Sequence, residues 1–262
     1  IFAKDAKAIT SIMQKYFSGK ISETKAFTKF ANILIMPEAD KSCFHNFSRK
    51  ANILNVMQDA ARKTASLRWK FWYDCMNSIA RHNLAHNITH IEIRYPAVGL
   101  EGLDFCAKVC KAIEQKYRGK ITIRMIEFLL LIDTLDQFIA AYRTASKEAH
   151  KYFVAVDPCR AVNCADRSSV LKYIKNCKFP VVVHAGEHWA KKDYPQLTAS
   201  KRIKQALQSV KTALAYPRLY RIGHANILGA DIAELLKRTK KSIANALVAQ
   251  QKALIREIKK RE

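Results

Sequence analysis

The sequence predicts an α/β fold in which helices cover the outside of a parallel sheet. Three observations carry this. From residue 90 onward, short runs rich in Ile and Val recur, and a helical pattern follows each of them. These runs are apolar at consecutive positions, as strands covered on both faces are. The length, 262 residues, suits one (β/α) barrel or one large α/β domain.

The part before residue 88 reads as helical. Ile9, Ile12, Met13 and Tyr16 form one stripe of a helix over Ala3–Phe17, and Gly19 is its stop. A longer helical stretch is expected from about Ser48 to Asn83, with Ile53, Val56, Met57, Ala60 and Ala61 on one side. The short apolar run Ile33–Pro37 between them fits neither pattern.

Five strands are expected next, at His90–Tyr95, Ile121–Leu130, Tyr152–Val156, Pro180–His184 and Leu219–Gly223. The helices between them are Leu103–Tyr117, Leu135–His150, Ser168–Asn176 and Ser200–Ala213. Gly119 and Pro180 stand where a helix must end before the next strand. From Asp231 to Glu262 one long amphipathic helix is expected: Ile232, Leu235, Leu236, Ile243, Leu247, Leu254 and Ile258 keep a spacing of three to four, and Lys237, Arg238, Lys240, Lys241, Lys252 and Arg256 occupy the other face. The expected organisation is therefore a helical part (1–88), a strand-bearing centre (89–228) and a basic helix (229–262), all in one domain.

Bulk composition narrows the function classes. No apolar run approaches the roughly 18–20 residues of a membrane span; the longest is Phe128–Ile132. No basic stretch followed by an apolar segment opens the sequence, so no secretory signal is read. The seven cysteines are odd in number and form no C-x-x-C pair. That predicts a reducing compartment, most simply the cytoplasm. Cys106 and Cys110 lie four apart on an apolar stripe and are expected in the core. His82, His86 and His90 are also spaced by four, but His90 should begin a strand, which leaves surface or capping roles. The net charge of +24 favours acidic partners: nucleic acid, an anionic membrane surface or a phosphorylated substrate.

Two expected strands end in polar clusters. Val181–Val183 leads into His184-Ala185-Gly186-Glu187, and Leu219–Gly223 leads into His224. A histidine at the carboxyl end of a parallel strand can present its imidazole to a metal, and a second one beside it can handle the proton of an activated water. Gly186 permits a tight turn and the close approach of a ligand. Glu187 brings a carboxyl within reach of the same space.

His184-Ala185-Gly186-Glu187, followed about forty residues later by Arg221-Ile222-Gly223-His224, resembles the adenosine/AMP deaminase family of the amidohydrolase superfamily. Upstream, Ile91-Glu92-Ile93-Arg94-Tyr95-Pro96 is similar to the Glu-x-Arg-(aromatic) of that family's second strand, and Ala155-Val156-Asp157 stands where its fourth strand carries an Asp. The resemblance covers roughly residues 88–228 and implies a (β/α)8 TIM-type barrel of the metal-dependent hydrolases, of which this sequence holds about five of eight strands.

It further implies His184 as a zinc ligand, Glu187 as the acid that gives a proton to ring N1 of the purine, and His224 as the group that orients and deprotonates the water attacking C6, with release of ammonia. Gly186, Asp157 and Arg160 are then candidates for contact with a purine nucleoside or nucleotide. The chain departs from the family pattern in three places. No His-x-His and no Asp-Asp occurs in it, so zinc would need ligands beyond these residues. Where the family has a Gly after its fourth strand, this chain reads Pro158-Cys159-Arg160. The alternative expectation is a catalytically inactive barrel of the same ancestry, serving as a basic binding or scaffolding module for an acidic partner or polyanion. Five strands alone leave two sheet edges unpaired.

Overall fold

Alternating apolar runs and amphipathic stretches build two compact units, Ile1–His82 and Asn83–Glu262, in a computed structural model of the chain. The structure describes residues 2–22, 24–26, 28–29, 61–62, 64–129, 134–158, 178–186, 194, 196–216 and 218–260. The apolar run at 33–37, the stripe residues 53–60 and the helix expected over 168–176 lie outside them.

The first unit holds helix α1 (Phe2–Phe17), which buries Ile9, Ile12 and Met13, as their spacing requires. Gly19 follows at φ +71°, the left-handed conformation of a helix stop. Helix α2 (Ala65–Ala85) begins in this unit. Asp74 on α2 accepts hydrogen bonds from Tyr16 (3.0 Å) and Lys70 (2.7 Å). That partnership raises the Lys70 ammonium well above the ordinary lysine range.

The second unit is built on five strands: β1 (His90–Tyr95), β2 (Thr122–Phe128), β3 (Phe153–Asp157), β4 (Val181–Ala185) and β5 (Leu219–His224). All are parallel, and they lie side by side in chain order. β1 is expected to the residue, and the other four lie close to their expected spans. Helices α3 (Ala97–Leu100), α4 (Leu103–Lys116), α5 (Thr134–Thr144), α6 (Lys147–Tyr152) and α7 (Ala199–Leu214) alternate with the strands. A turn of 3-10 helix (Asn226–Gly229), α8 (Ile232–Leu235) and α9 (Lys241–Lys259) complete the unit.

Burial follows the pattern that predicted it. β4 is covered on both faces, and Val181, Val182 and Val183 are at most 1% exposed. Each such side chain contributes about 1.5–3 kcal/mol on leaving water. Cys106 and Cys110 are buried on α4; burial pushes the Cys110 thiol up to about 12, so it stays protonated as a core side chain.

Two expected helices are each divided. The helix expected over Leu135–His150 breaks at Ser146, whose hydroxyl caps α6 by accepting from the Ala149 N–H at 3.2 Å. Asp104 of α4 holds this break in place by accepting from the Ser146 N–H at 3.0 Å. The single helix expected over Asp231–Glu262 is α8 and α9, separated by a turn over residues 236–239. Asp231 caps α8 through the Glu234 N–H (3.0 Å), and Leu236 turns into the core. Lys237, Arg238, Lys240 and Lys241 would stack like charges three and four apart on a continuous helix, which works against it.

The sheet is strongly curled. β1 and β5 are its opposite edges, and a flat sheet would set them ~19 Å apart, four steps of ~4.8 Å. Yet Arg221 of β5 makes an ion pair with Glu92 of β1. One face is therefore convex and covered by helices, and the other is a concave, half-barrel face. Among the described residues, the edges carry no backbone hydrogen bonds to each other. Among the described residues, no helix is long and apolar enough to cross a membrane.

Candidate functional site at the carboxyl ends of the strands

Strand register decides which side chains share the concave face. Arg94 pairs with Ile126, Phe128 with Asp157, and His184 with Gly223. Since successive residues alternate, Arg94, Phe128, Asp157, His184 and Gly223 all face inward near the carboxyl ends of their strands.

His184 is the centre of this set, only 8% exposed. Its Nδ1 lies 2.9 Å from Asp157 Oδ1, and its Nε2 lies 3.2 Å from Arg94 Nη1. A guanidinium can only donate. Nε2 must therefore be the acceptor, and Nδ1 carries the proton and donates to Asp157. Phe128 stands edge-on to the ring at 6.0 Å between centroids, and the His224 ring lies 4.8 Å away.

Asp157 is wholly buried. Its Oδ2 lies 3.0 Å from Arg94 Nε without accepting a hydrogen bond, so charge holds the pair and the oxygen keeps an unfilled acceptor position. Burial without a partner would be costly for such a group; here a guanidinium and an imidazole compensate it.

The last residue of β5, His224, is exposed, and both it (φ +75°) and Ala225 (φ +53°) adopt left-handed backbone. Two such residues in succession cost on the order of 1–3 kcal/mol each and persist only where neighbours hold them. The neighbours are explicit. Ala225 N–H donates to Ala185 O (2.9 Å) and Ile227 N–H donates to Gly186 O (3.0 Å). From α9, Gln251 Nε2 donates to the carbonyls of Ile227 (2.9 Å), Leu228 (3.0 Å) and Ala230 (2.8 Å). The turn that aims His224 is thus pinned from both sides.

Gly186 is fixed by its packing and backbone hydrogen bonds. It is buried at φ +72°, its N–H donates to Ser209 Oγ (2.9 Å), and its carbonyl accepts from Ile227. A Cβ there would lie 2.8 Å from Val210 and 2.9 Å from Ile227. The glycine serves the junction of β4, α7 and the turn after β5.

Of the sequence candidates, His184, Asp157 and His224 come together. Glu187 and Arg160 lie outside the described residues. Sequence reasoning passed over Arg94, Ser209 and Gln251 as site residues. Arg94 sat inside a quoted motif, and Gln251 is a polar residue within the apolar stripe of α9; Ser209 carried no comparable signal.

Zinc can be tested against this donor set. The Nδ1–H···carboxylate bond of His184 is the outer-shell arrangement that readies Nε2 to ligate a metal. A catalytic zinc takes three protein ligands, and among the described residues no group of three His, Cys, Asp or Glu is placed to hold one. His184 fits as a single ligand, with Arg94 standing before its free nitrogen. No family model matches the chain, and no curated protein matches it in sequence.

Proposed function

We propose that the concave face carries part of the active centre of a metal-dependent aminohydrolase of the adenosine/AMP deaminase type, and that its five strands belong to a (β/α)8 arrangement. One observation carries this reading: His184, at the end of β4, is held by Asp157 with its Nε2 turned inward and a second imidazole, His224, 4.8 Å from its ring. The parallel order of the strands and their curl support the barrel part of it.

Zinc, held by His184 together with ligands beyond the described residues, would supply Lewis acidity and lower the pKa of a water. The chain's own groups would do the rest. His224, exposed at the rim, orients that water and takes its proton; Glu187 gives a proton to ring N1 of an aminopurine; Asp157 and Arg94 keep the His184 ring from rotating. The oxygen of that water would bond to C6, His224 would return its proton to the amino group as the C6–N bond breaks and ammonia leaves, and the remaining hydroxyl proton would go back to Glu187.

The position of Arg94 favours a second reading, a catalytically inactive module that binds polyanions, because a fixed cation already occupies the space before Nε2. Metal analysis and turnover decide between them. The purified protein should contain about one zinc and release ammonia from adenosine or AMP, and Glu187→Gln should abolish turnover with zinc retained. A protein without zinc or turnover, whose polyanion binding falls steeply with salt, belongs to the second reading.

A further inference from the structure

We propose that Arg94 is a positioning residue that acts through His184, and that Gly223 is the recess that admits it. Arg94 starts on β1, crosses the concave face and reaches β4 and β5. Its Nε lies against Asp157 Oδ2 (3.0 Å) and its Nη1 against His184 Nε2 (3.2 Å). It meets both partners at once, as a planar fork can and a single ammonium cannot.

The consequence for His184 is chemical. The two ends of the imidazole face opposite kinds of partner: a carboxylate at Nδ1, which accepts, and a guanidinium at Nε2, which donates. Together they select the Nδ1–H tautomer, the minor one of a free neutral histidine side chain, and aim the Nε2 lone pair at the concave side. Asp157 alone would leave the ring free to tilt about that bond; Arg94 removes this freedom.

Gly223 supplies the independent observation. Its backbone is not left-handed, so no conformational reason demands glycine there. A Cβ at this position would lie 2.6 Å from Arg94 Nη2 and 3.2 Å from both Cζ and Nη1. The missing side chain is the space that the guanidinium fills. Any larger residue would push the flexible end of Arg94 away and leave the strand in place.

The inference builds on the deaminase reading for its importance, but its geometry can be tested without metal or substrate. Two-bond proton–nitrogen spectra of the 15N-histidine-labelled protein report the tautomer of each ring, and His184→Gln identifies the signal of His184. The wild-type ring should be a single Nδ1–H form. Arg94→Met and Gly223→Ala should each move it toward the Nε2–H form, the double variant should add nothing further, and Arg94→Lys should give an intermediate pattern. If Arg94→Met does not fold, Gly223→Ala carries the test, because it displaces only a flexible side-chain end. An unchanged Nδ1–H signal in Gly223→Ala, or additive shifts in the double variant, would overturn the proposal. Absence of zinc and turnover in the wild type counts against the deaminase reading alone.

Discussion

Glu127 on β2 and Asp157 on β3 are both wholly buried carboxyls at the carboxyl ends of adjacent strands, yet they face opposite sides of the sheet. On the convex side, Glu127 accepts from two neutral backbone groups, Ala97 N–H (3.1 Å) and Val98 N–H (3.2 Å). Burial outweighs those bonds and pushes its carboxyl up to about 8. On the concave side, Asp157 meets a guanidinium and an imidazole. The glycines repeat the contrast: a Cβ at Gly186 would strike apolar groups and backbone, whereas the three atoms nearest to one at Gly223 all belong to Arg94. The convex face is closed by packing and neutral donors, and the concave face by mutually dependent charges. A set of that second kind holds a reactive ring in one orientation.

The largest effect should come from breaking the charged set. Asp157→Ala leaves Arg94 and His184 without their shared partner and should cost about 3–5 kcal/mol in urea denaturation; a loss below ~1 kcal/mol would mean that the two carboxyls are not different in kind. Next comes the pair of glycines. Gly186→Ala combines left-handed backbone with overpacking and should cost about 2–4 kcal/mol whatever stands at position 94, whereas the cost of Gly223→Ala should vanish in the Arg94→Met background, because it acts by displacing that side chain. A cost of Gly223→Ala that persists in that background would erase the distinction between the faces.

The faces should also differ in the pH slope that Glu127 imposes. Its folded carboxyl holds a proton more tightly than the unfolded one, whose ordinary value is 4.5. Its stabilising contribution is therefore complete below about pH 4.5 and is lost as pH rises through about 8. The slope in that window should be on the order of 1 kcal/mol per pH unit, and Glu127→Gln should flatten it. A wild-type protein whose stability rises between pH 6 and 8, with no change in slope for the variant, would show that Glu127 is paired differently.

Strands proved the most legible part of the fold, because a strand covered on both faces must be apolar at every position. Val181–Val183 announces itself that way. The helix breaks at Ser146 and Leu236–Thr239 were less legible, since periodicity carries across a short interruption and the cap that stops α6 depends on Asp104, more than forty residues away. His184 and His224 were readable as site residues from their place after apolar runs. Arg94 was not, because its reach across the concave face depends on how far the sheet curls. Gln251 looked like a gap in an apolar stripe until the turn after β5 supplied three carbonyls for it to bind.

Local chemistry in the chain was enough to determine the parallel α/β class, the places of the five strands along the chain and the two histidines near the ends of β4 and β5. Only the tertiary structure decided which face each carboxyl occupies, that Arg94 meets His184, and that Gly223 is empty for its sake. Hydrophobic pattern acts within a few residues, whereas these contacts join positions 63 to 129 apart along the chain, brought together by the curvature of the sheet.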